Sequence, residues 1–416
     1  MLKAQRRFNV QLRELSEAGS ANVDLIRGCA AWAVMCSHLR AMFFVDLQNV
    51  ERSSALVKAI YFFSGFGHQA VVVFFVLSGF LVSSSIIARH IRGTWSWRNY
   101  TIDRFSRLYV VLIPGLLFGL LWDKIGGSVF ARTGVYLHPL AGFGDIIVNE
   151  RLGFKTFLAN AFFLQTIVAP TFGSNTPLWS LANEFWYYVL FPIILCALLA
   201  WVNGLLRRAL LFTILAVVVV AFVKLAILEG FLIWLAGVAL VIAYSRCNLS
   251  KKWWLALYVL SSSLLLAACL LFARAHRTGV VVSDFALGIT FSLFLFGILA
   301  IPAGVPYKLY SSTAHFVAGF SYSLYVLHFP LLLLFRAWIV PPQKWQPDGT
   351  HLLYGTVVGT LAVTFAWLIS MVTEKKTDIA RGWIRQKFSQ ERAMMLPPKM
   401  DPSGRRAVAN QPQLEG

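Results

Sequence analysis

The sequence predicts an all-α, polytopic bundle of about ten transmembrane helices, and three observations lead there. Of its 416 residues, 58% are hydrophobic and only 13% are charged, more apolar surface than one soluble core can bury. Several apolar runs reach the roughly 20 residues a helix needs to cross a hydrocarbon layer. Lysine and arginine crowd into alternate connections, which selects one orientation.

Residues 1–20 are polar and of mixed charge. The apolar run after them is too long for a secretory leader and ends without a small-residue cleavage site, so the first helix is expected to stay in the mature chain. Spans follow at 24–44, 66–87, 108–121, 178–201, 209–228, 230–244, 253–273, 284–301, 314–340 and 352–372. The run 154–169 is short and closes on Pro170, and reads as a re-entrant or surface helix. That choice sets the side of every later loop. With it, the basic segments 3–13, 89–107, 246–252 and 375–406, together with Arg207, Arg208 and Lys308, share one face. Short basic loops are retained in the cytoplasm, so both termini are expected there. The connection 122–177 becomes the candidate external lid. Three units result: an N-terminal segment 1–20, a membrane domain 21–376, and a basic tail 377–416 that reads as largely disordered, being rich in Pro, Ser, Gln and charge beyond Phe388.

The net charge of +19 follows from this topology and from attraction to anionic headgroups, so membrane lipid is the expected partner and no nucleic acid is required. Cys29, Cys36, Cys196, Cys247 and Cys269 are odd in number and lack metal-ligand spacing. They are assigned to packing, and no metal is expected.

Polar residues inside a membrane are costly and are functional candidates. On the first helix, Arg27 and His38 lie eleven residues apart, close to three turns, so they share a face about 16 Å apart along the axis. An arginine at the cytoplasmic edge then puts the histidine near mid-membrane. Asp24 stands one turn before Arg27 and can pair with it. On the residues alone, a structural ion pair plus an interhelical histidine accounts for the pattern equally well.

Five segments in order carry a resemblance. They are Arg27 with His38; Phe74-Phe75-Val76-Leu77-Ser78-Gly79-Phe80-Leu81; Asp103-Arg104-Phe105-Ser106-Arg107-Leu108-Tyr109; Trp179-Ser180-Leu181-Ala182-Asn183-Glu184 through Phe191-Pro192; and Ser321-Tyr322-Ser323-Leu324-Tyr325-Val326-Leu327-His328. Together they resemble the signatures of the acyltransferase 3 family of membrane acyltransferases, over nearly all of 24–376. The resemblance implies a cytoplasmic acyl-CoA donor, usually acetyl-CoA, with no tightly bound cofactor. It also implies an acceptor hydroxyl on an envelope or exported glycan or glycolipid, and a place in the bacterial inner membrane. The sequence departs from the commonest pattern at Ala70-Val71-Val72-Val73, where an acidic residue is frequent, and at Phe185, where a second carboxylate is frequent. Both departures put weight on Glu184 alone.

Under that resemblance His38 is the expected catalytic residue, since an imidazole titrating near pH 6.5 can take a proton from a hydroxyl and return it to a thiolate. Whether it also carries the acyl group stays open. Arg27, Arg104 and Arg107 are expected to bind the donor, because guanidinium forks suit phosphate. Arg89, Arg92 and Arg98 read as ordinary loop charges. Glu184 is expected either to orient His38 or bind acceptor hydroxyls, or to form a structural network with a cation such as Arg40. Trp179, Tyr187 and Tyr188 beside it supply the aromatic surface on which sugars stack. Ser321, Tyr325 and His328 recur on one helix face and are expected to look inward. His328 reads either as a second proton carrier or as an interhelical hydrogen-bonding partner. Glu374 reads as a helix-end anchor and His68 as a weak acceptor contact. The rival class is a proton-coupled transporter or lipid flippase, which inverted repeats would favour; none is visible.

Overall fold

The computed structural model describes residues 12–140, 143, 146–247, 251–275, 280–301, 308–340 and 343–395. Among them the regular elements are helical, joined by two isolated bridges. Helix α1 (Glu17–Phe43) opens on Ser16, whose side chain accepts from the Gly19 amide. Helices α2 (Ala55–Phe63), α3 (Gly67–Ile91) and the 33-residue α4 (Trp97–Val129) follow. After α5 (Phe154–Ala161) come α6 (Leu178–Val202), α7 (Leu206–Phe222), α8 (Leu225–Arg246), α9 (Lys252–Ala275), α10 (Val280–Ala300), α11 (Lys308–Ala318), α12 (Ser321–Ile339), α13 (Gly349–Val372) and α14 (Thr377–Met395).

Eight runs among the described residues are long and apolar enough to cross a membrane, and eight of the expected spans fall on them. The other two are α1, whose polar residues lower its hydropathy, and α7, which has 17 residues. The expected span 314–340 is corrected to two helices. The chain breaks after Ala318, whose carbonyl accepts from the Ser321 hydroxyl at 2.8 Å and from Arg27 Nη2 at 3.4 Å. A partner from a distant helix thus satisfies an end that sequence periodicity cannot reveal.

Prolines inside two helices create similar attachment points. Proline cannot donate to the carbonyl four residues earlier. Pro330 frees the Val326 carbonyl, which accepts from Asn175 Nδ2 at 2.9 Å. Pro192 frees the Tyr188 carbonyl, which accepts from the Tyr100 hydroxyl at 2.7 Å. These bonds tie the lid segment to α12 and α4 to α6.

Helices α1, α3, α4 and α12 enclose the centre, with α8 and α10 packed outside α3. The α3–α8 contact is closest at Gly79 and Gly237, where a Cβ on either would overlap backbone of the other helix. Small residues allow such approach between membrane helices. The outward faces of α7 and α9 expose Ile214, Val217, Leu260 and Leu264, as lipid-facing surfaces do.

The connection expected as a lid is packed rather than loose. Its neck is the Gly173 amide bonded to the Arg151 carbonyl at 3.1 Å, beside Asp123, which accepts from the Ser174 amide at 2.7 Å. From there residues 152–172 run back along α4, where the Tyr109 hydroxyl donates to the Ala161 carbonyl at 2.9 Å. Asp123 and Tyr109 lie about 21 Å apart along that helix, so the segment is an inward excursion.

The tail expected to be largely disordered begins instead with α14. Arg381 and Arg385, one turn apart, face α4, while Ile379 and Trp383 are exposed. Amphipathic spacing at 377–388 gives the helix a docking face, which composition alone does not register. The segment 396–416 lies outside the described residues.

Candidate active site

The arginine-rich end of the bundle holds a cavity of about 370 Å³ between α1, α3, α4, α6 and α12. Seven of the residues singled out from the sequence line it: Arg27, Arg104, Arg107, Glu184, Tyr188, Ser321 and Tyr325. Arg89, Asp103, Arg381, Ser78 and Tyr322 join them. Arg89 is therefore a cavity residue, in contrast to its reading as a loop charge.

The five cavity arginines fall into two groups. Arg27 pairs with Asp24 at 3.0 Å. Arg89 reaches Asp103 Oδ2 at 2.7 Å, while Arg381 and Arg385 approach its Oδ1 at 3.3 and 2.6 Å. Arg104 and Arg107 have no carboxylate within ion-pair distance among the described residues. Arg104 rests 5.8 Å from the rings of both Tyr100 and Tyr188, a cation–π arrangement that leaves its N–H fork available. A cavity with two cations unmatched by carboxylates suits a polyanionic ligand.

Glu184 closes one wall. Trp234 Nε1 donates to Ser78 Oγ at 3.1 Å, Ser78 Oγ and the Tyr188 hydroxyl are 3.1 Å apart, and the Tyr188 hydroxyl donates to Glu184 Oε2 at 3.5 Å. Its partners are hydroxyls, and the alternative partner Arg40 sits elsewhere, over the Tyr61 ring at 5.3 Å. Glu184 and His38 are not hydrogen-bonded to each other; His38 Nδ1 meets His328 instead.

His38 is oriented by His328. Its Nδ1 lies 2.7 Å from His328 Nε2, with the rings stacked at 5.1 Å. His328 is fully buried, and its Nδ1 lies 2.8 Å from the Leu324 carbonyl. A carbonyl only accepts, so neutral His328 carries its proton on Nδ1 and accepts at Nε2. His38 must then donate from Nδ1, which leaves its Nε2 lone pair free. A chain of two bonds thus selects the tautomer in which His38 is a base. The ring is also fixed by Phe143 and Phe329, at 5.8 and 5.0 Å.

Tyr325 links cavity and dyad. Its hydroxyl lies 2.5 Å from Ser180 Oγ, and its ring stands 6.3 Å from that of His328. Ser321, Tyr325 and His328 thus share one side of α12, the first two on the cavity and the third on His38. Three expected contacts lie elsewhere. Tyr187 is completely buried against Phe75, Phe231 and Trp234, and Trp179 meets the edge of Phe75. His68 pairs with Asp284 at 2.8 Å. Glu374 accepts from the Ser323 amide and hydroxyl at 3.0 and 2.9 Å, fastening the first turn of α12.

Sequence reasoning missed Asp103, Arg381 and Arg385 as one cluster. Arg385 and Asp103 are 282 residues apart, and the only local trace is the one-turn spacing of the two arginines.

A lipid-facing helical bundle around a buried, arginine-lined cavity defines an integral membrane protein with an internal polar site. A family model described as an acyltransferase domain matches residues 20–371, and the chain belongs to that acyltransferase 3 family. It is 31% identical over 170 residues to the acyltransferase MdmB of Streptomyces mycarofaciens, across 40% of this chain and 37% of that protein. No solved structure matches it.

Proposed function

We propose that this protein is a membrane O-acyltransferase of the bacterial inner membrane. It takes an acyl group, acetyl by default, from cytoplasmic acyl-CoA and passes it to a hydroxyl of an envelope or exported glycan or glycolipid. The observation that carries the reading is the free Nε2 of His38, oriented by His328 and separated by Tyr325 from an arginine-lined cavity.

The cavity end with Arg104 and Arg107 is the cytoplasmic one, by the retention of basic loops. The donor's phosphates bind there, and its extended arm carries the thioester past Ser321 and Tyr325. The acceptor approaches His38 from the lid end. Nε2 takes the hydroxyl proton as oxygen attacks the thioester carbonyl; the tetrahedral intermediate collapses, the C–S bond breaks, and the thiolate takes the proton from His38. His328 accepts from His38 throughout and holds the ring in place. Glu184, bonded to hydroxyls in the cavity wall, acts on the donor side.

Purified protein in nanodiscs, given radiolabelled acetyl-CoA and bacterial membrane glycan, tests this. Label is expected on the glycan and absent with His38→Ala. Full transfer by His38→Ala, or substrate movement without transfer, refutes it in favour of a transporter. Mass spectrometry of envelope glycans with and without the protein then names the acyl group and acceptor through the lost ester.

A further inference from the structure

The arginine-rich cavity is completed by a helix that follows the last crossing one. Arg381 of α14 lines it together with Arg89 from the last turn of α3, and Arg381 lies beyond residue 371, where the family match ends. Both arginines are held by Asp103 of α4, a buried carboxylate. Arg89 Nη2 donates to its Oδ2 at 2.7 Å, and Arg381 Nε stands 3.3 Å from its Oδ1. Asp378 takes Arg381 Nη1 at 2.8 Å from the solvent side.

Helix α14 is fastened along its length. Arg385, one turn after Arg381, reaches Asp103 Oδ1 at 2.6 Å, and Arg98 of α4 lies over the Phe388 ring at 5.4 Å. Just before α14, Glu374 is bonded to the first turn of α12. The cavity rim is therefore preorganised, and ordering it on binding costs little.

Depth sets the order of the cations. Gly115 of α4 packs on Val326 and Gly119 on Pro330, so His328, between them on α12, stands level with Leu117. Arg107 comes ten residues earlier on α4, about 15 Å nearer the cytoplasm. An extended chain of about four residues spans that distance, and a pantetheine arm with its two amide links is of that length. With the thioester beside the histidines, the diphosphate of CoA falls at Arg104 and Arg107. Asp103 lies a further four residues back, about 6 Å more toward the cytoplasm, where the ribose follows.

We infer that Arg89 and Arg381, set in place by Asp103, form a subsite for the phosphate on the ribose of the acyl-CoA donor. The inference rests on the transferase reading of this cavity. Each guanidinium has five N–H donors in one plane; the bonds to Asp103 and Asp378 fix the two planes, and the remaining donors take the phosphate oxygens. Arg89, Arg381, Arg104 and Arg107 stand against the two carboxylates, so the rim stays cationic toward a dianion. A pantetheine arm without that phosphate, such as one carried on a protein, forgoes the contact, and the site thereby favours free CoA thioesters.

Binding tests this without an acceptor. The full chain in nanodiscs is loaded with tritiated acetyl-CoA, which is displaced by CoA, by its 3′-dephospho form, or by pantetheine. CoA is expected to bind about tenfold more tightly than dephospho-CoA. Arg381→Gln and Arg89→Gln should each narrow that gap while leaving the Kd of dephospho-CoA unchanged, and Arg92→Gln, a nearby basic residue outside the cavity lining, should not. Asp103→Asn should narrow it as well, although loss of a negative charge by itself would widen it. Equal binding of CoA and dephospho-CoA by the wild type, or a gap indifferent to Arg381→Gln and Arg89→Gln, overturns the inference. So does an equal loss of both ligands, a matching effect of Arg92→Gln, or a gap widened by Asp103→Asn. In each of these cases acetyl-CoA still binds and the transferase reading stands; absence of acetyl-CoA binding overturns both, and label transfer to glycan judges that reading separately.

Discussion

Replacing His328 with alanine separates a positioning histidine from a merely packed one. The substitution removes the acceptor that His328 Nε2 offers to His38 Nδ1 at 2.7 Å, and leaves that donor without this partner. An unsatisfied buried donor costs about 1–3 kcal/mol. If that cost falls on the reactive tautomer and orientation, kcat drops by about 5- to 150-fold. Removing the base itself by His38→Ala is expected to cost about 10²- to 10⁴-fold. Because both residues act through one proton position, the double variant should be no worse than His38→Ala alone. His328→Gln supplies an amide oxygen close to the lost Nε2 and should recover part of the rate, whereas a packing role gives glutamine no advantage over alanine. The assay is label transfer from acetyl-CoA in nanodiscs, with donor KM followed in parallel. KM should stay constant, since neither histidine lines the arginine-rich cavity. Wild-type kcat in His328→Ala, or losses that multiply in the double variant, refutes the tautomer argument.

Arg104→Ala should raise donor KM by about 10- to 160-fold, the equivalent of one charge-assisted interaction of about 1.5–3 kcal/mol, and leave kcat nearly unchanged. Arg107 is exposed, so its alanine variant should show a smaller rise in the same titration; a fall in kcat at constant KM speaks against phosphate binding by either. Gly79→Ala and Gly237→Ala each force backbone apart at the α3–α8 contact and should destabilise by about 1–3 kcal/mol, read as lowered thermal stability in detergent. Asp348 caps α13 by accepting from the His351 amide at 2.9 Å, and these hydrogen bonds with His351 hold its carboxyl below the ordinary value of 3.8. A lowered pKa means that its contribution is present above the unfolded-state value and is lost as pH falls through the folded one. Thermal stability of Asp348→Ala should therefore converge on that of the wild type in acid, and a constant gap at all pH values contradicts the cap.

Much of the architecture was legible along the chain because lipid imposes a local rule. Each crossing helix must satisfy its own backbone and show apolar side chains over about 20 residues, and that pattern is visible in any window. Hence eight of the expected spans coincide with apolar helices, and Arg27, Arg104, Arg107, Glu184, Ser321 and Tyr325 stand out as polar interruptions that the fold gathers around one cavity.

What required the folded chain are relations between distant segments. The break after Ala318 depends on Arg27, from a helix almost 300 positions earlier, which no window can register. By sequence Glu184 is a candidate partner for His38, and proximity gives that place to His328. The direction of the His328 proton depends on the Leu324 carbonyl within reach of its Nδ1. The side chains of Tyr187 and Trp179 have the right chemistry for a sugar platform and the wrong direction, because helix rotation puts them against α3 and α8. Composition marks which residues are costly in a membrane; their orientation and partners are a property of packing, which alone turns His38 from one of two interhelical histidines into the end of a bonded chain with a free lone pair.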